Sequence, residues 1–247
     1  MNNFDLENII NIKLNSHQFD DFSPNGLQIE GAKNIKKIVS GVSICQELLN
    51  KAIELKASAI IVHHGCFWNK TKQVITGIQK KRLKTLMLHN INLYSWHLPL
   101  DAHPEIGNNA QIAKKLNITI QGHLLPYVPW GTLKNNLSGK ELSDEIIKHY
   151  NRVPFHERSE KNCNISKLAW CSGKGQGFMK DINLSKLDAF LTGEISEETI
   201  YMARENNLHF YAIGHYASER DGIIALGDWL TKKYNLNITF VDINNPI

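Results

Sequence analysis

The sequence predicts an α/β fold with mainly parallel sheets, built as two similar, interlocked halves, and three observations predict it. Short β-rich runs alternate with helical stretches, the alternation restarts after a stretch rich in proline and glycine, and polar residues recur just past the apolar runs of both halves.

In the first half Ile35–Val42 reads as a strand and Gln46–Leu55 as the helix after it. Ala59–Val62 is a second strand, the Lys- and Leu-containing run Gly77–His89 a helix, and Ile91–Trp96 a third strand. A helix near Asn109–Leu116 and a strand near Ile118–Ile120 follow. Pro126, Pro129, Gly131 and Gly139 then mark a boundary, giving halves at 1–125 and 126–247. Beyond it come a helix over Glu141–Tyr150 and strands at Ile165–Cys171, Ala189–Thr192 and His209–Ile213. Helices at Glu197–Glu205 and Ala217–Leu230 accompany the later strands, and Ile238–Ile243 closes the chain as a strand. Matching strand ends carry polar residues: His63-His64 and His97 in the first half, Glu194 and His215 in the second. This pattern points to a structural duplication, with its ligand-binding groups at the carboxyl ends of strands.

The 247 residues are 42% hydrophobic and 21% charged, ordinary proportions for a globular chain with a sizeable core. The net charge of +4 is dispersed in short groups such as Lys80-Lys81-Arg82, with no basic–aromatic interleaving, so nucleic-acid binding is not indicated. The apolar runs fall far short of the roughly 18 residues that span a bilayer, and the start lacks the basic and apolar regions of a secretory signal. Cys45, Cys66, Cys163 and Cys171 form no C-x-x-C pair, which fits thiols in a reducing cytoplasm. The recurrence of Asn, Ile and Lys reads as compositional bias.

Three segments carry chemistry. His63-His64 follows an apolar strand, and Gly65 lets the chain turn so that two imidazoles can serve two neighbouring ions. Trp96-His97-Leu98-Pro99-Leu100-Asp101-Ala102-His103-Pro104 reads as a rigid extended loop, because Pro99 and Pro104 disfavour helix before them. His215 and Glu219 share one face of a helix, about 6 Å apart along the axis. Singly each has a plainer reading: a solvent-facing pair, a turn-capping Asp101, a solvated i,i+4 pair. Together, three imidazoles and two carboxylates suit borderline divalent ions such as zinc, manganese, iron, cobalt or nickel. Five residues leave coordination positions for water or substrate, as in catalytic sites. Ser172-Gly173-Lys174-Gly175-Gln176-Gly177 lacks the spacing of a phosphate-binding loop and reads as a flexible connection.

Ile61-Val62-His63-His64-Gly65, Trp96-His97-Leu98-Pro99-Leu100-Asp101 and Gly214-His215-Tyr216-Ala217-Ser218-Glu219 resemble signatures of the GTP cyclohydrolase I type 2 homologues, the Nif-three-like family. Pro24-Asn25-Gly26-Leu27-Gln28 and Leu191-Thr192-Gly193-Glu194 match two further patterns, so the likeness covers the whole chain. The length is that of the short bacterial form. The resemblance implies a ring-shaped homohexamer with two divalent ions per subunit facing its interior. It implies His63, His64, Asp101, His215 and Glu219 as the ligands, with Glu219 as the bridge. His97 and Glu194 are the candidate catalytic groups, set beside the metals. The expected function is a dinuclear-metal-dependent hydrolase that turns activated water on a nucleotide or related heterocycle. The family name implies attack at C8 of guanine with release of formate. The alternative is a non-catalytic metal-binding assembly or regulatory protein.

Overall fold

The computed structural model describes residues 1–69, 74–160 and 164–247, so the expected Cys163 thiol lies outside the described residues. Cys45, Cys66 and Cys171 form no disulfide. The chain folds as two compact units, one of Met1–Gly107 with Gly222–Asn244 and the other of Asn108–Asp221 with Asn245–Ile247.

The first unit is built on a five-stranded sheet in the order β1-β4-β3-β2-β11, formed by Gly26–Ile29 (β1), Lys37–Ser43 (β2), Ala59–His64 (β3), Asn92–Ser95 (β4) and Asn237–Phe240 (β11). Three of its four pairings are parallel, and only β1 runs antiparallel, against β4. Burial runs nearly unbroken along β2 and β3, the signature of parallel strands covered on both faces. Leu48, Leu49 and Ala52 of α2 (Gln46–Glu54) pack with Val39, Ile60, Val62 and Leu93 as one core. Gly41 allows this closeness, since a Cβ there would stand 2.8 Å from Leu48 Cδ2. Two further helices belong to this unit: α1 (Asn3–Leu14), capped by the Asn2 side chain, and α3 (Gly77–Leu88).

A short helix, α4 (Leu98–Ala102), stands where the two prolines predicted an extended loop. Pro99 sits in its first turn, where a missing N–H costs nothing because that turn's donors have no acceptor within the helix. The helix turns Asp101 inward and buries it.

The second unit carries a six-stranded sheet in the order β5-β6-β8-β9-β10-β7. Its strands are Ile118–Leu125 (β5), Val128–Leu137 (β6), Phe155–Glu157 (β7), Ile165–Cys171 (β8), Ala189–Thr192 (β9) and His209–Ala212 (β10). Only β8-β9 and β9-β10 pair in parallel, so this sheet is mixed rather than mainly parallel. The Pro- and Gly-rich stretch expected to divide the halves forms part of the β5–β6 hairpin, whose register shifts twice. The units divide instead at Gly107/Asn108 and inside α8 (His215–Tyr234). Helices α5 (Asn108–Lys115), α6 (Gly139–Tyr150) and α7 (Glu197–Glu205) complete the unit. A reciprocal capping box of Ser138 and Glu141 starts α6. Each sheet holds three parallel strands in chain order, β2-β3-β4 and β8-β9-β10, as the duplication reading requires. The asparagines also gain a role: Asn15, Asn90, Asn117, Asn151, Asn207 and Asn235 all have positive φ just past helix ends.

His156 and His209 make the second unit pH-sensitive. His156 stacks on Tyr211 with 4.2 Å between ring centroids, and its Nε2 lies 3.0 Å from His209 Nδ1. Burial, then the neighbouring His209 and Arg158, push the His156 imidazolium down to about 4. Above about pH 6.5 both folded and unfolded chains hold this ring neutral. As the pH falls towards 4 the unfolded chain takes up a proton that the folded chain refuses, so stability falls across that window. Melting temperatures of the parent protein should drop over this range, and His156→Gln should flatten the drop.

Candidate metal centre

The first unit brings four of the expected residues together. His63 and His64 close β3, and their ring centroids lie 4.5 Å apart. The His97 ring, just past β4, stands 5.1 Å from His63 and 5.7 Å from His64. One ring nitrogen from each of the three falls within 4.8 Å of the others, a spacing that metal ligands require. Asp101 adds a carboxylate oxygen 3.5 Å from His63 Nε2. Gly65 makes the turn after His64, and a Cβ there would collide with the Gln28 side chain, which accepts the Cys66 N–H.

Each imidazole is held by the same ring atom. His63 Nδ1 is 2.9 Å from the Trp96 carbonyl, His64 Nδ1 is 2.8 Å from Ser43 Oγ, and His97 Nδ1 is 2.7 Å from Asp21 Oδ1. His63 and His97 donate Nδ1–H to a carbonyl and a carboxylate, while in the third bond either Ser43 Oγ or His64 Nδ1 can be the donor. A ring held at Nδ1 has Nε2 as its remaining ligand atom, the way metal-binding histidines are oriented by their outer partners. Burial alone would raise the Asp21 carboxyl, but hydrogen bonds from His97, Asn25 and the Leu98 N–H, with the His97 charge, hold it below the usual carboxylate range. Trp68 stands edge-on to His97, 5.1 Å between centroids, and 5.8 Å from His64.

The second unit holds a pair of its own at the start of α8. His215 and Glu219, one helical turn apart, place Nε2 and Oε2 3.1 Å from each other. Again Nδ1 is turned outward, 2.6 Å from Glu194 Oε1. Burial opposes charge on His215, but hydrogen bonds and charge from Glu219 and Glu194 outweigh it and lift the ring to about 9. In the absence of an ion this imidazole holds a proton that a metal displaces on binding.

The Gly-rich stretch is not the flexible connection the sequence suggested. Gly173, with φ of +60°, lies so near the pair that a Cβ would collide with Glu219 Oε1 and stand 3.1 Å from His215 Nε2. Its N–H donates to Ser218 Oγ and its carbonyl accepts the Gly193 N–H. The stretch continues as a 3-10 helix over Gly175–Asp181. His103 stands apart from the cluster's work, its Nδ1 accepting the backbone N–H groups of Glu105 and Ile106.

A model of the Duf34/NIF3 (NGG1p interacting factor 3) family matches residues 1–246. The chain belongs to this family. Among its NIF3 relatives, a GTP cyclohydrolase 1 type 2 homolog from Buchnera aphidicola subsp. Schizaphis graminum is 57% identical over 246 residues, covering 100% of both chains. The solved structure of protein ybgI, a structural-genomics protein of unknown function, is 49% identical with a TM-score of 0.96, covering 100% of each chain. That of TTHA1606 from Thermus thermophilus is 30% identical with a TM-score of 0.92, also covering 100% of each. No helix among the described residues of this NIF3 chain is long and apolar enough to cross a membrane.

Sequence reasoning missed Asp21, Ser43 and Gly173. Ser43 carried no motif. Asp21 lies three residues before the Pro24-Asn25-Gly26-Leu27-Gln28 pattern, and only the fold puts it against His97.

Proposed function

We propose that this protein is a dinuclear-metal-dependent hydrolase acting on a nucleotide or related heterocycle. His63, His64, Asp101, His215 and Glu219 would hold its ions, with Glu219 as the bridging carboxylate. The reading is carried by one observation: His63, His64 and His215 all commit Nδ1 to an outer partner, which leaves Nε2 as the inner ligand atom. The donor set fits borderline divalent ions such as zinc, manganese, iron, cobalt or nickel. When bound, two such ions supply Lewis-acid stabilisation of developing negative charge and make water a stronger acid.

The chain's own residues supply orientation and a binding face. Glu194 fixes the His215 ring through the 2.6 Å bond, and Ser43 and the Trp96 carbonyl do the same for His64 and His63. Trp68, beside His64 and His97, presents a flat aromatic surface on which a heterocycle can stack. The relatives' name, GTP cyclohydrolase 1 type 2 homolog, supports a nucleotide as the substrate class.

Elemental analysis of the purified protein tests the ligand set, and a panel of nucleotides and heterocycles assayed with defined metals tests turnover. We expect bound divalent metal, and turnover that Asp101→Ala abolishes. Protein with no ion, and the same result in His64→Ala, overturns the site. Tight metal retention with inactivity across the panel favours the non-catalytic metal-binding assembly instead. The proposal extends to a cytoplasmic, ring-shaped homohexamer with its ions facing inward. Light scattering should give six times the chain mass, and a monomer mass overturns the ring.

A further inference from the structure

We infer that Asp21 is a positioning residue that locks His97 as its Nδ1–H tautomer and so keeps an accepting Nε2 turned towards His63 and His64. The Asp21 side chain is 2% exposed and saturated with donors. Its Oδ1 accepts from His97 Nδ1 at 2.7 Å, and from the Phe22 and Ser23 N–H groups at 2.6 and 3.4 Å. Its Oδ2 accepts from Asn25 Nδ2 and the Leu98 N–H, both at 2.9 Å. Asn25 Oδ1 in turn accepts the His97 backbone N–H at 2.8 Å. The loop before β1 thus holds His97 at its ring Nδ1 and at its backbone N–H. An ionised carboxylate can only accept, so the proton between Asp21 and His97 belongs to Nδ1. Nε2 then carries the lone pair, on the ring edge left to face the imidazole cluster.

The use of that lone pair rests on the hydrolase reading, whereas the tautomer does not. In hydrolysis a water O–H bond breaks as an Nε2–H bond forms on His97. The oxygen's electron pair adds to a C=N carbon of the heterocycle as the π pair moves onto that nitrogen, which takes up the proton when His97 later returns it. The charge left on the ring is countered by Asp21 across the 2.7 Å bond. A histidine held by a carboxylate at Nδ1 is suited to this step because it neither rotates nor changes tautomer while it waits.

Nitrogen NMR of histidine-labelled, metal-free protein reads the tautomer without a substrate, and His97→Gln assigns the signal. The parent protein should show His97 as one Nδ1–H tautomer. In Asp21→Asn the amide NH2 must face N–H donors whichever way it turns. Only His97 can answer by changing from donor to acceptor, so its proton should move to Nε2. A parent His97 in the Nε2–H form, or as a mixture, overturns the inference, as does an Asp21→Asn spectrum unchanged at His97. The parent measurement stands even if the variant fails to fold. Inactivity across the substrate panel would overturn the hydrolase reading and leave the tautomer result intact.

Discussion

Replacing Glu219 with alanine is expected to strip the protein of at least one divalent ion per chain and to weaken what still binds by roughly 100-fold or more, beyond the range for outer-partner losses. The carboxylate is buried at 3% exposure, faces His215 Nε2 at 3.1 Å, and is backed by the Gly173 main chain. Glu219→Gln keeps the volume and one oxygen but not the charge, and should fall between alanine and the parent. Zinc titration followed by calorimetry separates the three. Thermal stability of the metal-free alanine variant should fall, since Glu219 is one of the two carboxylates that hold the charge on His215. A Glu219→Ala protein with parental zinc affinity would remove the bridge from the proposed centre.

Trp170→Ala should cost roughly 3–5 kcal/mol of folding stability, the range for emptying a buried aromatic site. Trp170 is fully buried in the second unit's main core, among Ile112, Leu142, Ile146 and Tyr211. Its Nε1–H donates to the Asn109 carbonyl at 2.9 Å, and Asn109 Oδ1 accepts the Ser172 N–H at 2.9 Å. Ser172 leads directly into Gly173, so the same substitution should loosen the backbone that abuts Glu219. Trp170→Phe retains most of the apolar volume and loses the N–H bond, which should cost about 1–2 kcal/mol. Urea denaturation with the three proteins side by side checks the order. Equal midpoints for alanine and phenylalanine would show that the hydrogen bond, not the volume, carries the site.

Periodicity made the parallel cores readable, because continuous apolar runs such as Ala59–Val62 and Ala189–Thr192 have few alternatives to a doubly covered strand. The i,i+4 reading of His215 and Glu219 holds for a similar reason: a helix fixes that geometry locally. Signals that depend on position within an element were harder. Pro99 looks like a breaker until it is known to occupy a first turn, and the prolines and glycines near residue 130 mark a hairpin as readily as a boundary. β1 and β7 have only four and three residues, too few for any period to show. Asp21 and Gly173 are set by contacts between segments far apart in the chain, and no local pattern encodes those.

The pairing of β2 with β11 has a consequence for biosynthesis. Lys37 is matched with Asn237, two hundred positions later, so the β2 edge emerges from the ribosome two hundred residues ahead of its partner. Throughout translation of the intervening chain, including the whole second sheet, that edge presents unpaired backbone groups to whatever else is nascent nearby. The second sheet has no such debt, for all its strands lie between Ile118 and Ala212. Vectorial synthesis therefore lets the second unit's sheet finish first, and the sheet that holds His63 and His64 can close only after every strand of the second sheet has been made.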